Sequence, residues 1–321
     1  MPSRSSGEVR TMIVTVTLNP AVDEECLVPE FRPGKWFRAG QVNRSPGGKG
    51  INVSYMLSQV DYPSVAMGFL AGFNGEYIRD ALRRLHITTN FIHVPGETRS
   101  NVYIVDEVGH IETGVAESGP YIPEEALGRF LSNYERMLVR ARFVMIGGSL
   151  PPGVPQDIYR DLVERAKFKG IPTLLDAAGP PLLAAIEAGP TFARVDHRFM
   201  AWVAGISLTS LDNLIEVVSR VHDYGVEWAV ASYRNYGAVF FSPEGIFLAE
   251  YERKGLASLF ASDDALVAGF MIAREEKMSA EDTIRFSTAC AWENSLRVEK
   301  GFRGRSEIDQ LATQVQVEKL N

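Results

Sequence analysis

The chain has 321 residues, 45% of them apolar, and a formal net charge of −7; its mean hydropathy is −0.05 and its isoelectric point about 5.4. That is the balance of a soluble globular protein with length for one large α/β domain, and it argues against a general nucleic-acid or anionic-membrane binder, which needs a clustered cationic face. Cys26 and Cys290 stand far apart in no metal-like spacing, so neither a disulfide framework nor a zinc site is expected, and a reducing, cytoplasmic setting fits.

Residues 1–11 are polar, rich in Ser, Gly and Arg, and lack an apolar stretch. They read as a disordered extension, neither signal peptide nor anchor. Residues 12–17 form a short β-branched run of the kind that opens a buried sheet, and alternating stretches at 25–28 and 35–42 flank the turn Pro33-Gly34. Helix-like periodicity follows at 52–60, a strand at 64–70 and an amphipathic helix at 75–85. The strand-then-helix beat returns at 143–146 with 156–169, at 173–176, at 229–231 and at 264–275. Such alternation predicts a mainly parallel sheet with helices on both faces and ligands at the carboxyl ends of its strands. Residues 100–106 and 110–113 interrupt the beat as a hairpin-like pair without a helix partner, and join the early strands in a small lid sheet.

Ser45-Pro46-Gly47-Gly48-Lys49-Gly50-Ile51-Asn52 places three glycines at a helix start, where free amides favour a polar or anionic ligand and glycine lets it approach the backbone. The same residues read equally as a tight turn into a helix. Asp23, just past the first strand, reads either as an acceptor of hydrogen bonds from sugar hydroxyls or as a solvated loop carboxylate. The five histidines form no ligand pair at helical spacing, so no metal site is assigned to them.

Five segments in order, Thr17-Leu18-Asn19-Pro20-Ala21-Val22-Asp23, Ser45 to Asn52, Thr98-Arg99-Ser100-Asn101-Val102, Gly148-Ser149-Leu150-Pro151-Pro152-Gly153-Val154-Pro155 and Val267-Ala268-Gly269-Phe270, resemble the phosphofructokinase B family of ribokinase-like sugar kinases. Within it they are most like the 1-phosphofructokinases and tagatose-6-phosphate kinases, over residues 12–305. The resemblance implies a ribokinase-like α/β sandwich with a β-sheet lid, one domain over residues 12–310 with lid strands from about 24–44 and 98–116, and a tail at 311–321. It implies transfer of the γ-phosphoryl of ATP, with Mg2+, to a hydroxyl of a sugar phosphate. Exposed lid edges commonly pair with a copy of themselves, which leaves a homodimer through the lid open. No nucleic-acid or membrane partner is expected.

Carried over residue by residue, Asp23 and Asn52 bind sugar hydroxyls above a floor of Gly47 and Gly48, while Lys35 and Arg99 engage the sugar's phosphate. The family's Gly-Ala-Gly-Asp motif falls on Ala261-Ser262-Asp263-Asp264. Asp264 keeps the catalytic base, but Ala261, Ser262 and Asp263 form an altered anion hole. There Asp263 is expected to add negative charge and two β-carbons to crowd the phosphate, a change of a kind that costs ~10²–10³ in rate. Ser262-Asp263-Asp264 also reads as an ordinary capped helix start.

Two nucleotide-side motifs depart as well. Arg194-Val195-Asp196-His197-Arg198-Phe199 stands for Lys-Pro-Asn-x-x-Glu, and Ser232-Tyr233-Arg234-Asn235-Tyr236-Gly237 stands for Ser/Thr-Leu-Gly-x-x-Gly. They leave Asp196, Ser232, Arg234 and Gly237 as nucleotide-binding candidates, with Arg234 a poor substitute for a glycine that needs positive φ. The lid segment Ile111-Glu112-Thr113-Gly114 lacks the family's Thr-Glu-x-Asn. The alternative to a kinase is an inactive sugar-phosphate-binding relative acting as a sensor or regulatory protein.

Overall fold

A computed structural model describes residues 11–320, apart from 107, 110, 208, 235, 253 and 254. The extension at 1–10, Asn235 of the nucleotide-side turn and the final residue lie outside the described residues. In chain order the first half comprises β1 (Met12–Thr17), β2 (Ala21–Leu27), β3 (Gln41–Gly47), α1 (Lys49–Ser58), β4 (Ser64–Leu70), α2 (Gly72–Arg84), β5 (Thr88–His93), β6 (Arg99–Asp106), β7 (Ile111–Ala116), α3 (Glu124–Leu138) and β8 (Ala141–Gly147). The second half comprises α4 (Ile158–Phe168), β9 (Thr173–Asp176), α5 (Gly179–Ile186), β10 (Phe192–Arg194), α6 (His197–Ala204), α7 (Leu211–His222), β11 (Trp228–Tyr233), β12 (Gly237–Ser242), β13 (Gly245–Glu250), α8 (Ser262–Glu275), α9 (Ala280–Ser295), α10 (Arg305–Ala312) and β14 (Gln316–Leu320).

Ten strands form the main sheet in the order β14-β13-β12-β11-β10-β9-β8-β1-β4-β5. It is parallel from β5 to β11 and antiparallel from β12 to the β14 edge. Strand alternation sends Val14 and Val16 into a core beneath α3 to α7, and Ile13 into a second core against α1, α8, α9 and α10. This is the sandwich the strand-then-helix beat predicts.

Helix α8 is buried on all sides from Asp264 to Ala273, which suits its nearly continuous apolar sequence. Its contact with α9 needs Gly269, since a β-carbon there would stand 2.7 Å from Cys290 Sγ.

The second sheet runs β3-β2-β6-β7. Its register, Asp23 opposite Ser45 and Asn101, and Tyr103 opposite Glu25 and Gly114, puts Asp23, Glu25, Asn101 and Tyr103 on one face. Glu24, Cys26, Val42 and Val115 go to the other. The lid thus exists, with one correction. The strand expected at 35–42 lies at Gln41–Gly47, where pairing begins with Gly40 N donating to Leu27 O at 3.0 Å; residues 35–40 stay outside the sheet, with Trp36 fully exposed. A second correction concerns residues 311–321: they are no tail, because Leu311 and Ala312 complete α10 and β14 pairs with β13 at the sheet edge.

Candidate active site

Asp264 lies in the first turn of α8 and is 4% exposed. Its Oδ2 accepts from Asn52 Nδ2 at 2.7 Å, and its Oδ1 faces Lys49 Nζ at 3.3 Å. Both partners come from the first turn of α1, so the glycine-rich entry to that helix aims two side chains at one carboxylate. Burial pushes the Asp264 carboxyl above its ordinary range; Lys49 and Asn52 oppose the shift, while Asp176 and Asp263 reinforce it.

From Lys49 a relay of alternating charge crosses the carboxyl ends of three strands. Lys49 Nζ stands 3.0 Å from Asp176 Oδ2 at the end of β9, and Arg194 Nε at the end of β10 donates to Asp176 Oδ1 at 2.7 Å. Arg194 also pairs with Asp263 Oδ2 at 3.1 Å, and Ser232 Oγ of β11 donates to Asp263 Oδ1 at 2.7 Å. Burial would raise the Asp263 carboxyl, but Arg194, Lys49 and Ser232 hold it below its ordinary value.

The expectation of an uncompensated negative charge beside the phosphoryl group is therefore corrected: both oxygens of Asp263 are engaged. The expected crowding takes a specific form at Ala261, which adopts a left-handed φ of 57° directly before the helix. Arg234 is corrected too. It does take positive φ, 53°, and is held there by a 2.8 Å bond to Tyr236 Oη and by stacking 4.8 Å from the Tyr233 ring.

On the lid side, Asp23 is 2% exposed and its Oδ1 accepts from Asn101 Nδ2 at 2.8 Å. A β-carbon at Gly47 would lie 2.0 Å from Asp23 Oδ2, so glycine is required there for the carboxylate to fit. Arg99 spans from Asn19 O (3.2 Å) to Asn101 Oδ1 (3.0 Å) and Glu117 O (3.1 Å). Glu112 of β7 accepts from Ser258 Oγ at 2.7 Å, and Tyr103 meets the Phe260 ring at 4.6 Å. These two contacts tie the lid to the loop that feeds α8.

One cleft of about 360 Å³ gathers Asp23, Gly48, Asn52, Arg99, Ala261, Asp263 and Asp264, with Lys49, Asn101, Tyr103 and Phe260. An adjoining cavity of about 190 Å³ is lined by Ser232, Arg234, Gly237, Ser262 and Asp263. Two expected residues are not brought in. Lys35 sits in the exposed stretch between β2 and β3, because the strand that would have carried it starts later. Asp196 caps α6 by accepting from Phe199 N at 3.2 Å.

Sequence reasoning missed Lys49, Asp176, Arg194, Asn101 and Lys300 as site residues. Lys49 and Asn101 lay inside quoted motifs, and Arg194 headed one. Asp176 closes an apolar strand run, a usable signal, whereas nothing marked Lys300.

The profile of the family described as pfkB family carbohydrate kinase matches residues 14–299. The chain belongs to this family. It is 32% identical over 309 residues to the 1-phosphofructokinase of Bacillus subtilis (strain 168), covering 96% of this chain and 100% of the relative. A crystal structure of a possible 1-phosphofructokinase from Thermotoga maritima superimposes with a TM-score of 0.89 at 30% identity, over 97% of this chain and all of that one. The tetrameric inhibited form of phosphofructokinase-2 from Escherichia coli, at 21% identity and a TM-score of 0.84 over 94% of this chain and 98% of that one, shares the fold. As a pfkB carbohydrate kinase, the chain carries the ribokinase-like sandwich and lid, and among the described residues no helix is long and apolar enough to cross a membrane.

The residues fit the phosphate end of a nucleotide. In the first turn of α8 the Ser262 amide bonds Leu259 O and the Ala265 amide bonds Ala261 O, which leaves the amides of Asp263 and Asp264 for a ligand, and Lys49 and Arg194 pair with the side chains of those same residues. A magnesium ion held by protein side chains does not fit. Asp176, Asp263 and Asp264 are each engaged by Lys49 or Arg194, Phe199 offers no ligand, and among the described residues no group of three acids, histidines or cysteines is placed to hold a metal.

Proposed function

We propose that this chain transfers a phosphoryl group from ATP to a hydroxyl of a hexose phosphate, in the manner of a 1-phosphofructokinase or tagatose-6-phosphate kinase. The observation that carries the reading is the Asn52–Asp264 bond of 2.7 Å inside the cleft that also holds Asp23, Asn101 and Arg99. ATP supplies the transferable phosphoryl.

The residues act as follows. Asp264, its carboxyl pushed above the ordinary range by burial and so made a stronger base, takes the proton of the acceptor hydroxyl, and Asn52 fixes the carboxylate's orientation. The amides of Asp263 and Asp264 and the Lys49 ammonium face the charge that develops on the phosphoryl oxygens. Asp23 and Asn101 accept and donate to sugar hydroxyls, and Arg99 grips the acceptor's own phosphate through its planar fork. Tyr103 and Phe260 screen the cleft from water. The lid's outer face exposes Val42, Ile111 and Val115, which supports pairing with a second copy through the lid.

Turnover of ATP with fructose 1-phosphate or tagatose 6-phosphate, alongside calorimetric binding, tests the reading. Asp264→Asn is expected to lower kcat by roughly 10²–10⁴ with the fold intact. A rate undiminished in that variant removes Asp264 as the base. Wild-type protein that binds a hexose phosphate tightly without turning over ATP would establish the sensor alternative instead.

A further inference from the structure

Lys300 stands in the coil between α9 and α10, yet its side chain is 5% exposed and reaches two acceptor-cleft residues at once. Its Nζ lies 2.8 Å from Asn52 Oδ1, 3.4 Å from Asp23 Oδ2 and 2.5 Å from Pro46 O, so each of its three protons has an acceptor. The approach is from behind. Lys300 lines a separate cavity of about 540 Å³ together with Glu25 and Asn43, while the cleft wall is made by Asp23 and Asn52 themselves.

The coil is held in place. Gly301 N donates to Asn294 Oδ1 at 2.8 Å and Phe302 N to Gln59 Oε1 at 2.6 Å. The fully buried Glu293 binds Arg297 at 3.2 Å and Arg303 at 2.9 Å. A lysine so buried and so fully bonded puts its ammonium directly against the cleft wall.

That charge changes what Arg99 can do. Asp23 is buried and joined to Arg99 through one amide, since Arg99 donates to Asn101 Oδ1 at 3.0 Å and Asn101 Nδ2 donates to Asp23 Oδ1 at 2.8 Å, and the guanidinium feels the carboxylate's charge. With Lys300 neutralising Asp23, Arg99 makes its bonds to the neutral acceptors Asn19 O, Asn101 Oδ1 and Glu117 O. Remove the ammonium, and Arg99, one amide away from the buried carboxylate through Asn101, is a cation placed to compensate it.

We propose that Lys300 is a specificity-determining positioning residue: by satisfying Asp23 and Asn52 from behind, it frees Arg99 for an anionic group on the acceptor and so selects phosphorylated over neutral sugars. This rests on the phosphosugar-kinase reading above. The test compares kcat/KM for a hexose phosphate with that for the parent hexose, at fixed ATP, in wild type, Lys300→Met, Lys300→Arg and the double variant Asp23→Asn with Lys300→Met.

Lys300→Met is expected to lower the preference ratio about tenfold or more, chiefly through a higher KM for the phosphosugar, and Lys300→Arg to retain most of it. A purely structural lysine would depress both substrates alike and leave the ratio unmoved. The double variant has no carboxylate to capture Arg99 and is expected to recover the ratio, though at a lower absolute rate. It also serves if Lys300→Met alone, left with an unpaired buried charge, does not fold. An unchanged ratio in folded Lys300→Met, or no recovery in the double variant, overturns the proposal while leaving the kinase reading in place. A wild type that neither binds nor phosphorylates any hexose phosphate overturns both.

Discussion

The two sides of the cleft solve the same problem, a carboxylate out of water, with different partners. On the lid side Asp23 is met by an amide and one ammonium, Asn101 and Lys300, drawn from the lid and from the coil after α9. At the strand ends three carboxylates, Asp176, Asp263 and Asp264, share two cations, Lys49 and Arg194. The difference teaches that departures from a family motif need not be independent. Asp263 in place of a glycine and Arg194 at the head of an altered motif look like separate losses along the chain. In space they are a pair, closed by Ser232.

The pairing can be broken directly. Arg194→Met leaves Asp176, fully buried, with Lys49 alone and leaves Asp263 with Ser232. Removing one partner of a buried ion pair costs about 3–5 kcal/mol, and because Lys49 still holds one oxygen of Asp176 the lower end, about 3 kcal/mol, is expected. Chemical denaturation of Arg194→Met, Asp263→Gly and their double variant measures it. If the two residues are coupled, the double variant is more stable than the sum of the singles by about 1 kcal/mol or more. Strict additivity would mean that the two substitutions are unrelated after all.

The legible part of this protein was the part written in periodicity. The β-branched run at 12–17, the apolar helix after Asp264 and the alternation at 100–106 each carry their own signal, and each forms where expected. Strand β3 was placed too early because the alternation of 35–42 resembles a strand while leaving Trp36 without a layer to cover it. Strand β14 was missed because an edge strand with Glu318 and Lys319 reads as a polar tail. Of the cleft, Asp23, Asn52, Arg99 and Asp264 were legible through their motifs, whereas Lys49, between Gly48 and Gly50, reads as part of a loop. Lys300 was not legible, since its partner Asp23 lies 277 positions away and a lone lysine in a coil looks like any solvated one.

A second test sharpens the acceptor side. Glu25 shares the lid's inner face with Asp23, is 4% exposed, and burial pushes its carboxyl from 4.5 up to about 7; Lys300 and Asn43 oppose the shift, and Asp23 and Glu112 add to it. A folded-state pKa above the unfolded one means that the stability tied to protonated Glu25 is fully present below pH 4.5 and lost as pH rises through about 7. Glu25→Gln keeps a neutral group at every pH. It is therefore expected to match wild type at pH 4 and to exceed it by about 3 kcal/mol at pH 8, the linkage value for a rise from 4.5 to about 7 in which the opposing attraction of Lys300 is already counted. Denaturant midpoints of both proteins across that range decide it. A constant difference at all pH values would mean that Glu25 titrates alike in the folded and unfolded chain.

The smallest expected effect sits where the two sides meet. Ala261 precedes α8 with φ 57° and ψ 12°, and its backbone oxygen accepts from Ala265 N at 2.9 Å, so the left-handed turn is built into the helix start. A left-handed residue with a β-carbon carries a cost of about 1–2 kcal/mol that glycine avoids. Glycine gives part of that back through the greater freedom of its unfolded chain. Ala261→Gly should consequently raise stability by about 0.5–1 kcal/mol while clearing one methyl from the cleft wall. The predicted signature is a higher denaturant midpoint together with an undiminished kcat. A lower midpoint would show that the turn is held by its neighbours at no strain, and that the alanine is simply the residue this variant of the anion hole is built around.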